Sequence, residues 1–239
     1  MIPFSIEKTL SIKRFWISRV FRLYPLFLVS LGLAIALNHV GLFQLPSGFV
    51  ANFWASVLAQ LTMVAKFLGF DLAIGLYWSL GYEMIFYWIV TLLVVLKLNK
   101  RTLPIVIGLL ILAVINPIVT RFVLDKPAHL GLVFHFATMF FGTLVYRLYS
   151  GELEAKTFKR VFFLSLVAIV LSNLIGFYGK DEPEAGGTRS FIPMTTAWLA
   201  AYFVFLTAYR LRGLKMPSWC LHFGLISYSL YLMHPLVLD

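Results

Sequence analysis

The chain has 239 residues, 61% of them hydrophobic and only 13% charged, with a formal net charge of +10 and a single cysteine. A soluble domain carries about 25% charged residues, so this composition excludes an ordinary soluble protein. One cysteine also excludes an internal disulfide and a thiolate metal cluster, so no metal is expected.

With a mean hydropathy of +0.89, the expected class is all-α. The expected architecture is a polytopic integral membrane helical bundle of about seven spans plus one re-entrant or interfacial helix, each span needing about 20 apolar residues.

The chain opens on a basic, aromatic lead-in over residues 1–23, expected to lie on the cytoplasmic side. Within it, the run from Lys13 through Arg14, Phe15, Trp16, Arg19 and Phe21 to Arg22 reads as an amphipathic helix entering the first span. It is too long for the n-region of a signal peptide, and no small-residue cleavage site comes after it. Arg19 and Arg22 stand one turn apart. Their planar forks suit the phosphates of a nucleotide-containing donor, and a lipid-facing basic anchor fits the interleaved aromatics equally well.

Breaks at charged, Pro and Gly clusters place spans at residues 24–41, 76–96, 103–120, 130–146, 161–178, 191–209 and 223–238. Gly32 and Ala36 make a small-x-x-x-small pair in the first, which serves packing within the chain or between copies. Residues 49–65 are uncharged but put Asn52, Ser56 and Gln60 at four-residue intervals, giving a helix there one polar stripe. Lys and Arg beside spans collect on the cytoplasmic side. If 49–65 does not span, about fifteen such residues fall there, against four (Arg121, Lys126, Lys180 and Arg189) on the other side. If it spans, the division is about nine against ten, so a re-entrant or interfacial segment is expected, with the N-terminus in the cytoplasm. The same topology accounts for the net charge without nucleic acid as a partner, because the basic residues flank spans and meet anionic lipid.

The most informative segment runs from Trp78 and Ser79 through Glu83 to Tyr87 and Trp88, a carboxylate inside an apolar helix. An ionisable side chain in the hydrocarbon layer costs at least a few kcal/mol and commonly marks a pathway or a reaction site. Ser79, Glu83 and Tyr87 form one stripe at four-residue spacing. By the expected topology Glu83 sits about 10 Å below the extracytoplasmic start of its helix, at a depth shared by His39, His135 and His234. The functional reading is a polar cavity where a carboxylate orients a hydroxyl substrate or exchanges protons with it. The competing reading is a hydrogen bond that packs helices, which Gln would provide without the ionisation cost. His39 and His135 read first as amphipathic interface residues. His234 shares a helical face with Tyr231 and Ser227.

These residues resemble acyltransferase family 3, membrane enzymes that O-acylate surface polysaccharides and other sugars. Arg19-Val-Phe-Arg22-Leu-Tyr-Pro25 is similar to the family's double-arginine motif. Trp78-Ser-Leu with Glu83 and Tyr87 is similar to its Trp-Ser-Leu-x-x-Glu helix, and Ile226 through His234-Pro235 resembles its C-terminal helix. The resemblance runs over residues 1–239 as a single transmembrane domain. It implies an acyl-CoA donor, acetyl-CoA in the simplest case, with no bound cofactor, and it implies that Arg19 and Arg22 hold the donor's phosphates. It also implies a carbohydrate hydroxyl as acceptor and a bilayer as the setting, the bacterial inner membrane. By the same resemblance Glu83 and His234 are the catalytic candidates, and Trp78, Ser79, Tyr87 and Tyr231 the substrate-binding ones. The histidine-bearing first helix of the family has no counterpart here, and Met1 to Lys8 resembles the segment after its second helix. The chain is therefore expected to be a fragment of such an enzyme.

Two other classes stand beside this one. An intramembrane acid with histidines at one depth also suits a proton-coupled transporter or flippase, although no internal repeat is seen. A non-catalytic membrane remnant is the third.

Overall fold

The structure, a computed structural model, describes residues 11–124, 131–177, 191–214 and 217–238. All regular structure among the described residues is helical. The chain divides into two compact units, one of Ile2–Val95 with Lys215–Asp239 and one of Leu96–Leu214.

In the first unit α1 spans Ile12–His39, 28 residues, about 42 Å at 1.5 Å per residue. Ser11 starts it, its Oγ accepting from the Arg14 N–H at 3.3 Å, as a hydroxyl at an N-cap should. The described part of the basic lead-in is thus the first three turns of a single long helix. Phe15, Arg19, Leu23 and Phe27 make its buried face at four-residue spacing. Pro25 lies inside α1 and lacks an N–H, so the carbonyl of Phe21 loses its helical partner.

Residues 49–65 form no spanning helix. They fold into α2 (Ser47–Ala51) and α3 (Phe53–Leu61), parted at Asn52. At five and nine residues, neither approaches the roughly 20 needed to cross. Of the expected polar stripe, Ser56 and Gln60 turn inward and are buried, while Asn52 is exposed at the break. The Gln60 amide donates to the Asp71 carbonyl at 2.9 Å, tying α3 to the segment after it. A 3-10 turn, Ala65–Leu68, comes next and ends at Gly69, whose φ of 83° is left-handed.

Helix α4, Tyr77–Val95, runs antiparallel to α1. Trp16 Nε1 donates to Thr91 Oγ1 at 3.2 Å near one end, and the Ser30 and Tyr77 hydroxyls meet at 2.7 Å near the other. Gly81 lets α4 approach the 3-10 turn, since a Cβ there would lie 3.0 Å from the Phe67 ring and 3.2 Å from the Met63 carbonyl. The unit closes with α9 (Ser218–Met233), packed on α1, and the short α10 (Pro235–Leu238).

The second unit holds α5 (Thr102–Ile118) with a π turn over Val119–Val123, α6 (Gly131–Tyr149), α7 (Ala155–Phe177) and α8 (Phe191–Arg210), which ends in a 3-10 turn, Leu211–Gly213. The Phe141 ring is the hub of its core, 4.8 Å from Tyr202 and 5.6 Å from Phe158. Buried Arg147 fastens the ends of α5 and α6, donating to Glu152 at 2.8 Å and to the Asn99 carbonyl at 3.1 Å.

Five helices among the described residues are long and apolar enough to cross a membrane: Ile12–His39, Tyr77–Val95, Thr102–Val123, Ala155–Phe177 and Phe191–Gly213. The remaining two expected spans, 130–146 and 223–238, are helical as α6 and α9 but are not among the five. Helix α9 has only 16 residues.

Candidate functional site

The site lies within the first unit, between the facing stripes of α1 and α4. On α4 the four-residue spacing stacks Ser79, Glu83, Tyr87 and Thr91. The Tyr87 hydroxyl donates to Glu83 Oε1, and Thr91 Oγ1 donates to the Tyr87 carbonyl at 2.8 Å. Tyr87 is fully buried, and Glu83 is partly buried.

On α1 the same spacing stacks Phe15 and Arg19. The Arg19 guanidinium carbon lies 5.2 Å from the centre of the Phe15 ring and 5.4 Å from that of Tyr87, the two rings meeting edge to face at 5.6 Å. Arg19 is only 9% exposed, and its Nε has no hydrogen-bond partner among the described residues. Cation–π contact within about 6 Å is worth ~0.5–2 kcal/mol, less than the several kcal/mol of desolvating an ion. The cation is therefore held without being fully satisfied. One tyrosine thus carries a carboxylate on its hydroxyl and a guanidinium on its face.

Helix α9 adds two hydroxyls. Tyr231 meets Ser79 Oγ at 2.8 Å, and Tyr228 donates to the Leu23 carbonyl at 3.1 Å. Arg22 is exposed, one turn on from Arg19. Trp78 is partly buried with Tyr82 edge-on at 5.6 Å.

The structure thus brings together Glu83, Tyr87 and Arg19, and separately Ser79 and Tyr231. Each of the three histidines has surroundings of its own. His39 is exposed at the end of α1, and His135 belongs to the other unit, 5.2 Å from the Trp198 ring. His234 is exposed between α9 and α10, its Nδ1 2.9 Å from the Tyr231 carbonyl of its own helix. That contact makes Nδ1 the donor and leaves Nε2 as the basic nitrogen. Sequence reasoning missed Phe15, Thr91 and Tyr228. The spacing of Phe15 before Arg19 and of Thr91 after Tyr87 was the available signal, whereas Tyr228 requires knowing that α9 packs on α1. Among the described residues no group of three His, Cys, Asp or Glu is placed to hold a metal ion.

Such a chain is a helical membrane protein whose polar site is built from a buried arginine, a tyrosine and an intramembrane carboxylate. The acyltransferase domain of acyltransferase family 3 matches residues 3–239, and the chain belongs to that family. No curated protein and no solved structure matches it.

Proposed function

We propose that this chain is an integral membrane O-acyltransferase that moves an acyl group, acetyl in the simplest case, from acyl-CoA to a hydroxyl of a sugar or surface glycan. The observation that carries the reading is the buried Arg19 guanidinium, with Nε unpartnered, seated on a tyrosine that Glu83 holds. Family membership supports acyl transfer. The arginine supports the donor side of the reading, because a guanidinium suits the phosphates of CoA. Arg22, exposed one turn away, supplies a second cation.

In this reading the acceptor hydroxyl attacks the thioester carbonyl carbon. A C–O bond forms, the C–S bond breaks, the hydroxyl proton passes to a base and the CoA sulfur leaves as thiolate. Glu83 keeps acceptor capacity on the oxygen that Tyr87 does not engage, and takes or orients that proton. The Nε2 of His234 is the second candidate for it. Ser79, Tyr231 and Trp78 line the acceptor's approach. Helices α6 and α9 complete seven spans, residues 1–239 act as one domain, and the N-terminus faces the cytoplasm of a bacterium whose inner membrane holds the protein.

The test is label transfer from radiolabelled acetyl-CoA to glycan in membranes containing the chain or its Glu83→Gln variant at matched levels. Transfer by the parent and loss in the variant is expected. Equal transfer by both removes Glu83 from the chemistry, and proton-coupled solute flux without any transfer overturns the enzyme in favour of a transporter.

A further inference from the structure

At the far end of α8 lies a feature that the acyl-transfer reading does not use. The helix leaves its candidate span through the 3-10 turn, and there the Arg212 guanidinium is laid over two rings, 4.3 Å from the centre of Tyr209 and 5.2 Å from that of Tyr149. Its Nη1 donates to the Tyr209 carbonyl at 3.0 Å, so the fork is fixed in orientation although the residue is exposed. One hydrogen bond uses one of five donors, which leaves the outer edge of the plane for a bidentate oxyanion. Beside it runs an open groove of about 230 Å³, lined by Tyr149, Phe205, Ala208, Tyr209 and Arg212 and almost wholly apolar.

The surroundings say what kind of molecule lies there. Only 11% of the apolar window of α8 is buried, against 28% to 39% in the other four candidate spans. Phe203, Val204 and Phe205 are exposed on it. This is a helix surface that meets acyl chains, ending in an aromatic and arginine pair at the level where such residues sit in the headgroup layer. A free anion would use the cation and leave the apolar groove empty. A zwitterionic lipid brings its own cation to compete for the phosphate.

We propose that this groove holds one anionic phospholipid, its phosphate on the Arg212 fork and its acyl chain along Phe205 and Ala208. The lipid tethers the end of α8 to that of α6 through Tyr149 and Tyr209. The proposal rests on the membrane placement of α8 and is independent of acyl transfer.

The test is native mass spectrometry of the purified full chain in mixed micelles of phosphatidylglycerol or phosphatidylcholine. The parent should retain one phosphatidylglycerol in preference to phosphatidylcholine, and excess inorganic phosphate should not displace it. Arg212→Gln should weaken retention about tenfold, as expected for loss of a charge-assisted bidentate contact, and Arg212→Lys should lie between. Ala208→Phe fills the groove and leaves the cation in place, and it should also release the lipid. Both side chains are exposed, and unchanged melting of each variant in detergent will show that it folds. Full retention in Arg212→Gln, full retention in Ala208→Phe, or displacement by inorganic phosphate each overturns the proposal.

Discussion

Tyr87 donates its hydroxyl to Glu83 one turn back along α4, so the hydrogen-bond partner of the intramembrane carboxylate lies on its own helix. A carboxylate kept for packing would be expected to bridge two helices, and among the described residues this one does not. Its contribution to stability is accordingly expected to be small, about that of one hydrogen bond.

Glu83→Gln and Tyr87→Phe should therefore separate stability from function. Losing one hydrogen bond costs ~1 kcal/mol, whereas losing a positioned acid or base costs about 10²-fold in rate. Unfolding in detergent beside acyl transfer in membranes measures the two. A variant with normal transfer and a large drop in stability would return Glu83 to a packing role.

Arg19→Met should go further and leave stability unchanged or raised. The buried guanidinium has an unpartnered Nε, and replacing a poorly paired buried charge with an apolar side chain of similar length is often neutral or stabilising. Transfer should fall to background, because the phosphate contact proposed for the guanidinium goes with it. A fall in melting temperature with activity retained would show that Arg19 is structural.

The clasp on Arg147 makes the opposite prediction. Its Nη1, Nη2 and Nε reach Glu152, the Asn99 carbonyl and Thr102 Oγ1. Arg147→Ala should cost about 2–4 kcal/mol, as several charge-assisted hydrogen bonds and a buried stem are lost together. Glu152 has a side chain 47% exposed, so Glu152→Gln should cost at most about 1 kcal/mol. Denaturant titration of the two variants reads the difference, and equal losses would mean that the ion pair rather than the buried fork holds the corner.

Two glycines should respond with opposite signs. Gly81→Ala drives a Cβ against Phe67 and the Met63 carbonyl, and should destabilise by about 1–3 kcal/mol while pushing Ser79 away from Tyr231. A Cβ on Gly142 meets nothing within 4 Å, so Gly142→Ala should stabilise by about 0.5–1 kcal/mol. Thermal unfolding of both decides it; a stabilising Gly81→Ala would mean that α4 does not approach the 3-10 turn so closely.

What the sequence made legible was local. Apolar length located every described helix long enough to cross, the four-residue spacing of Ser79, Glu83 and Tyr87 gave their shared stripe, and the distribution of Lys and Arg about the spans kept the uncharged 49–65 run from being read as one. The residues that meet across helices were not legible. Arg19 reads in sequence as either a phosphate binder or a lipid-facing anchor, because nothing in one strand of letters sets the antiparallel register of α1 and α4. That register, pinned by Trp16 with Thr91 and Ser30 with Tyr77, lays the guanidinium on Tyr87. The same limit applies to His39, His135 and His234, which the sequence sorts by depth alone. Depth is one coordinate, and facing a common point takes two more.

Pro25 interrupts the hydrogen-bond ladder of α1 between those two pins. Mechanically, the arginine-bearing stretch is a beam clamped at both ends with its soft point at the missing rung from Phe21 to Pro25, just past Arg19, and kinks concentrate at such a place. Bending there swings Arg22 through a larger arc than Trp16 or Ser30. The helix can thus yield to an arriving ligand at its centre while both of its anchorages stay made.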